Sequence, residues 1–126
     1  MKKGFTIIEL MAAIIVIAIG ILGAYSVVQR VFTITSSASH RLTAAYLAQE
    51  GIENVRNIRD NNWIQKKGWN IGISNTSESG VLLGYNRNTT ISIIDAKTLG
   101  VSVSVSWNIL GNNGSIAVNE KIYDWK

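Results

Sequence analysis

The chain has 126 residues, room for one small domain, with no cysteine and a single histidine. A disulfide framework, a thiolate nucleophile, a cysteine metal site and a multi-histidine metal site are thereby excluded. The net charge of +4 is modest and falls to +2 without Lys2 and Lys3, which is little support for a nucleic-acid role.

The chain opens Lys2-Lys3-Gly4-Phe5-Thr6-Ile7-Ile8-Glu9-Leu10, and from Leu10 to Gln29 it carries no charge. Twenty helical residues span roughly 30 Å, the thickness of a bilayer's hydrocarbon core. Two lysines ahead of such a run place the N-terminus in the cytoplasm and everything after the span outside.

Three readings compete for this segment. A secretory signal peptide has an apolar core of about 7–15 residues followed by a small-residue cleavage site. Here the run is longer, and the nearest such match, Ser37-Ala38-Ser39, lies far beyond its end. A plain anchor holding an extracytoplasmic domain accounts for the span but has no use for Glu9. An ionised carboxylate costs about 2.5–3.5 kcal/mol at the centre of a membrane helix and less near the interface. On that reading Glu9 sits at headgroup level. The third reading rests on a resemblance. A short basic leader ending in Gly4, then Phe5-Thr6, Glu9 and a long apolar helix, resembles the N-terminus of type IV pilins and pseudopilins.

The resemblance implies that a membrane-embedded prepilin peptidase cuts after Gly4 and methylates the new amine of Phe5. Glu9 then becomes the fifth residue of the mature chain, and Glu9 and Thr6 become candidate assembly residues. The implied partners are the peptidase, other pilin or pseudopilin subunits in a filament, a membrane-embedded assembly platform, and the lipid bilayer before assembly. The implied course is a single-pass protein of the inner or plasma membrane that enters a pilus or pseudopilus at the cell surface or in the periplasm. Adhesion, DNA uptake and type II secretion are the functions of such filaments, and no cofactor is implied. The charges support this use of Glu9. A positive amine buried among apolar helices needs a counter-charge, and an acid on a neighbouring helix supplies it where either charge alone is costly. Thr6 either joins that polar cluster or bonds its own backbone.

The boundaries that follow are a leader at 1–4, a transmembrane and assembly helix at 5–29, and a pilin-like head at 30–126. No proline occurs anywhere, so nothing forces a break between Phe5 and about Asn61; such a helix is roughly 85 Å long. Gly20 and Gly23 are soft points or sites of close helix packing. Pilins often carry a proline about where Ser26 stands, and its absence suits minor pilins and pseudopilins better. Thr33, Thr35, Ser36, Ser37 and Ser39 form a patch of low helix propensity that allows local fraying. Leu42, Ala45, Ala48, Ile52 and Val55 then recur at spacings of three and four, the apolar stripe of an amphipathic helix, with Gln49, Glu53, Arg56 and Asp60 largely opposite. Asp60-Asn61-Asn62 supplies a stop. The segment from Ala44 to Glu53, with Arg56-Asn57-Ile58-Arg59-Asp60, is similar to the same helix in minor pilins of the V type and the pseudopilins related to them.

Residues 63–79, rich in Gly, Asn, Ser and Lys, read as a loop. Val101 to Ile109 alternates strictly and predicts a strand with Val101, Val103, Val105, Trp107 and Ile109 on one face. Gly111-Asn112-Asn113-Gly114 is a turn signal, and Ile116, Val118 and Ile122 alternate after it. Further strands are expected at about Thr89 to Ile94 and Val81 to Tyr85. The fold class is α+β: a long N-terminal helix, apolar first and amphipathic second, packed on an antiparallel sheet of three to four strands.

The remaining candidates have ordinary readings. His40 is expected to be a solvated helix residue, with a proton switch as the alternative. Arg56, Arg59, Lys66 and Lys67 are the only basic cluster; solvated surface is favoured over DNA phosphates or an acidic partner. Trp107 belongs to the core by phase, and Trp63 and Trp69 are expected to cover the helix–sheet junction. Asn75-Thr76-Ser77, Asn88-Thr89-Thr90 and Asn113-Gly114-Ser115 match a glycosylation sequon and are read as turn chemistry. No phosphate-binding glycine loop and no nucleophile–base pair is visible, so an enzyme is not expected. The competing function is a monomeric membrane-anchored binding domain.

Overall fold

The computed structural model describes residues 4–125 and divides into two compact units, Met1–Ser37 and Ala38–Lys126. Lys2 and Lys3, and with them most of the expected leader, lie outside the described residues. One helix, α1 (Ile7–Ile64), is followed by β1 (Thr76–Leu82), β2 (Tyr85–Asp95), β3 (Thr98–Ile109) and β4 (Asn112–Tyr123).

In the first unit every residue from Gly4 to Ser36 is exposed, and the large apolar side chains from Phe5 to Ile34 point in all directions round the helix. A helix apolar all round is built for an apolar surrounding, not for one core face. Its hydroxyls are turned inward: Ser26 Oγ donates to the Gly23 carbonyl (2.8 Å) and Thr33 Oγ1 to that of Gln29 (3.1 Å). Such bonds to the preceding turn satisfy a hydroxyl without water. Residues 33–39, where the low propensity allowed local fraying, lie inside the helix.

The second unit is a helix on a meander. The strands lie in the order β1-β2-β3-β4, each antiparallel to the next. The inner face carries Tyr85, Val101, Val103, Val105, Trp107 and Ile122, packed with Ala44, Ala48, Ile52 and Val55 of α1. The outer face of β3 presents Ser102, Ser104, Ser106 and Asn108, so one face is buried and the other wet, as the alternation predicts.

The helical stripe differs from expectation. Leu42 and Ala45 are exposed, and the buried set is Ala44, Ala48, Gly51, Ile52 and Val55. Leu42 lies about 200° round the helix from Ala44. Small residues face the sheet because the approach is close. A Cβ on Gly51 would stand 2.9 Å from Val103 Cγ1 and 3.0 Å from Arg87 Cδ. Gly51→Ala is therefore expected to destabilise the fold by about 1–2 kcal/mol in a urea titration, since overpacking outweighs the gain of about 1 kcal/mol in helix propensity.

The helix also passes its expected stop. Asn62 is buried, and its side-chain amide donates to the carbonyls of Trp69 (3.2 Å) and Ile71 (2.6 Å), so it clamps the following loop instead of ending the helix. Within that loop Trp69 leans on the core, while Trp63 stacks on Trp125 with ring centres 5.3 Å apart; both are half-buried.

Three turn assignments change. β1 begins at Thr76, inside the segment read as loop, because Thr76 to Ser79 pair with Asn86 to Thr89. The stretch read as a strand at Val81–Tyr85 contains the Leu83-Gly84 turn instead, where Gly84 takes a φ of +82°. The last turn is Leu110-Gly111, and Asn112 to Gly114 belong to β4. Gly114 lies opposite Trp107, and the indole occupies the space a side chain would take. Of the sequon asparagines, Asn88 and Asn113 sit in strands rather than turns, and Asn75 Oδ1 accepts from the Ile91 amide (2.7 Å), extending the sheet edge. At the β2–β3 turn the Lys97 amide donates to Asp95 (2.8 Å) and holds that carboxyl below its usual range. Its small stabilising effect is present above the ordinary carboxylate pKa and is lost as the pH falls through the lowered value.

Candidate processing and assembly segment

Gly4 and Phe5 precede the helix and are exposed, Phe5 by 86%. Thr6 caps the helix. Its carbonyl accepts from the amides of Glu9 and Leu10, each at 3.1 Å, and its hydroxyl accepts from the Glu9 amide at a long 3.4 Å. Thr6-x-x-Glu9 has the spacing of a capping box, and Glu9 places a negative charge in the first turn, where the helix dipole favours it. Of the two roles open to Thr6, the bond to its own backbone is thus present in the single chain.

Several glycines have no packing reason within the chain. A Cβ at Gly4, Gly20 or Gly23 would meet nothing within 4 Å, and none of the three has a left-handed φ. Gly20 and Gly23 each cost about 1 kcal/mol relative to alanine in a helix interior. They contrast with Gly51, which the fold requires.

His40 departs from expectation. It is half-buried, and its Nδ1 lies 2.8 Å from the Tyr85 hydroxyl, tying the start of the second unit's helix to β2. Two of the four residues of the basic cluster are paired with acids: Arg56 with Glu53 (2.6 Å) and closely with Glu120, and Arg59 with Asp60 (2.8 Å). The bond to Glu120, above all, raises the Arg56 pKa. Lys66 and Lys67 remain exposed.

Arg87 is the residue that the sequence reading missed. It is 4% exposed on the inner face of β2. Its Nε donates to Glu78 (2.6 Å) and its Nη1 to the Leu47 carbonyl (3.0 Å), with Glu50 at 3.3 Å. The bond to Glu78 is the main cause of its raised pKa, so the guanidinium stays charged beneath the helix. The phase Tyr85, Arg87, Thr89, Ile91 was the available signal. Among the described residues no group of three His, Cys, Asp or Glu is placed to hold a metal ion.

Residues 1–25 match the family model of the prokaryotic N-terminal methylation motif. The chain carries a prepilin-type signal. No curated protein and no solved structure matches it. The prepilin signal supports an N-terminally processed, type IV pilin-like protein, and it points to a structural protein rather than to an enzyme family. It implies processing by a prepilin peptidase and assembly with other pilins. It is compatible with membrane anchoring through α1, which is long and apolar enough to cross a bilayer.

Proposed function

We propose that this chain is a minor pilin or pseudopilin, held in the inner or plasma membrane by its first helical segment, cut after Gly4, methylated at Phe5, and assembled into a filament through that helix. The observation that carries the reading is the register of the prepilin signal with the exposed apolar helix: Gly4, Phe5, Thr6 and Glu9 lie directly ahead of a segment with no core of its own. Cleavage leaves a positive amine at Phe5, and Glu9 of a neighbouring subunit is its counter-charge. A subunit out of axial register leaves both charges unpaired, so the pair selects register more than it adds stability.

The glycines favour a filament over a lone anchor. Gly20 and Gly23 weaken the helix without serving any contact inside the chain. Small residues of this kind let membrane helices approach closely. A monomeric anchored domain has no use for these glycines, and it uses Glu9 only as a first-turn charge at the helix N-terminus. The filament is either a surface pilus for adhesion, twitching or DNA uptake, or a short pseudopilus of type II secretion. A neighbouring retraction-ATPase gene marks the first and a secretin with substrate genes the second.

The test is fractionation of cells that express the chain with a complete filament system. It is expected in the sheared fibre fraction alongside the other pilins. Retention in the membrane fraction alone, with fibres present, would support the monomeric anchor instead.

A further inference from the structure

The second unit carries an apolar knob at one end of its sheet and an apolar groove near the other. The hairpins β1–β2 and β3–β4 both turn at the first end, and their tips are locked together. The Asn108 amide donates to the Gly84 carbonyl (3.2 Å), and Ile109 fills the space that a side chain at Gly84 would take. Each tip holds a leucine in water: Leu83 is 93% exposed and Leu110 fully so. Leu110 also takes a φ of +49°, where a bulky side chain is strained and asparagine or glycine is favoured. Leucine stands there against both backbone and solvent, and such an outlier points to a use.

The groove lies towards the β2–β3 turn, roughly 27 Å along β2 from Tyr85. Ile73, Ile91, Ile93 and Leu99 line it, its volume is about 280 Å³, and none of its lining residues is charged. Ile93 is 80% exposed, so the groove is open to a partner. It is also preformed. Asn62 holds the loop through the carbonyls of Trp69 and Ile71, and Asn75 Oδ1 accepts from the Ile91 amide (2.7 Å). An apolar cavity of about 150 Å³ holds benzene, so this groove has room for a leucine side chain and part of a second.

Knob and groove match in charge as well as in shape. Residues 80–86 and 106–113, which form the tips, carry no charge, and Glu78 further down the first hairpin is bound to the buried Arg87. Docking therefore strips water from no ion, in keeping with the uncharged centre of a protein interface. Both surfaces belong to this chain and sit at opposite ends of one unit, so the knob of one copy meets the groove of the next in a head-to-tail row. Two leucines in a groove bury far less than the roughly 1,200–2,000 Å² of a stable complex. The contact therefore needs copies already held side by side, which raises their effective concentration.

We infer that Leu83 and Leu110 of one copy seat in the groove of Ile73, Ile91, Ile93 and Leu99 on the next copy in the filament. This rests on the filament reading given above.

The cysteine-free chain allows a direct test. Cysteines replace Ser74 at the groove and Asn108 beside the tips, singly and together, and sheared fibres are treated with a short bis-maleimide. S74C/N108C is expected to give a ladder of linked dimers, trimers and larger multimers, and either single variant to stay monomeric. Only a head-to-tail contact joins position 74 of one copy to position 108 of the next. Adding L83N/L110N is expected to cut the linked fraction several-fold with the chain still in the fibres. That variant should fold at least as well, because asparagine tolerates positive φ. S74C/N108C present in fibres but unlinked would overturn the contact and leave the filament reading standing. A ladder unchanged by L83N/L110N would refute the leucine knob, and linkage of N108C alone would mean that tips meet tips. Absence of the unsubstituted chain from fibres would remove the filament reading and the contact with it.

Discussion

Glu9→Ala is expected to be cleaved normally and to enter fibres at least about 100-fold less well than the wild type in direct competition. Removing one member of a buried ion pair costs about 3–5 kcal/mol, because the partner is left charged and unpaired, and each 1.4 kcal/mol is a factor of ten. Magnitude separates this role from the capping role of the same residue. Losing a helix cap costs typically about 1 kcal/mol, a few-fold effect, and Thr6→Ala is expected to show that smaller loss. The measurement is the ratio of variant to wild-type subunit in sheared fibres. Equal incorporation of Glu9→Ala would discredit the charge pair, and losses of similar size for Glu9→Ala and Thr6→Ala would reduce Glu9 to a cap.

Gly114→Val is expected to destabilise the second unit by about 3 kcal/mol, at the upper end of the usual overpacking cost. Strand propensity alone argues the reverse, since valine is favoured over glycine in strands. The decisive fact is the indole. A Cβ at Gly114 would lie 2.4 Å from Trp107 Cζ2 and 2.9 Å from two further ring atoms. Trp107 cannot swing away, because it is buried against Tyr85 with ring centres 6.3 Å apart. Its indole nitrogen has no hydrogen-bond partner among the described residues, so packing alone holds the ring. Ser115→Val, one residue along on the wet face, is expected to stay within about 0.5 kcal/mol. Urea unfolding of the full chain in detergent, followed by tryptophan fluorescence, checks both. A neutral Gly114→Val would mean that the indole does not lie over that glycine.

The fold was legible where periodicity is strong. Val101 to Ile109 shows its buried face in the letters, and the uncharged run after Glu9 shows that no core face exists in the first segment. The motif around Gly4 was legible because its residues fall in register with that run. Hidden features were those set by close approach. The buried helix stripe follows Ala44, Ala48 and Gly51 rather than the larger Leu42, because the sheet leaves no room for size. Gly114 reads as turn punctuation in the letters and proves to be the seat of an indole. Arg87 was missed because the expected strand began at about Thr89, and its inward place follows only when the strand phase is extended back to Tyr85. His40 was misplaced because its partner, Tyr85, lies 45 residues away.

The most direct test of the account is the intact mass of this chain recovered from sheared fibres. The expected mass is that of Phe5–Lys126 plus one methyl group, the state in which a new charged terminus stands four residues from Glu9. A fibre-borne chain still carrying Met1–Gly4 would contradict it, since the amine that Glu9 is proposed to neutralise would never have formed.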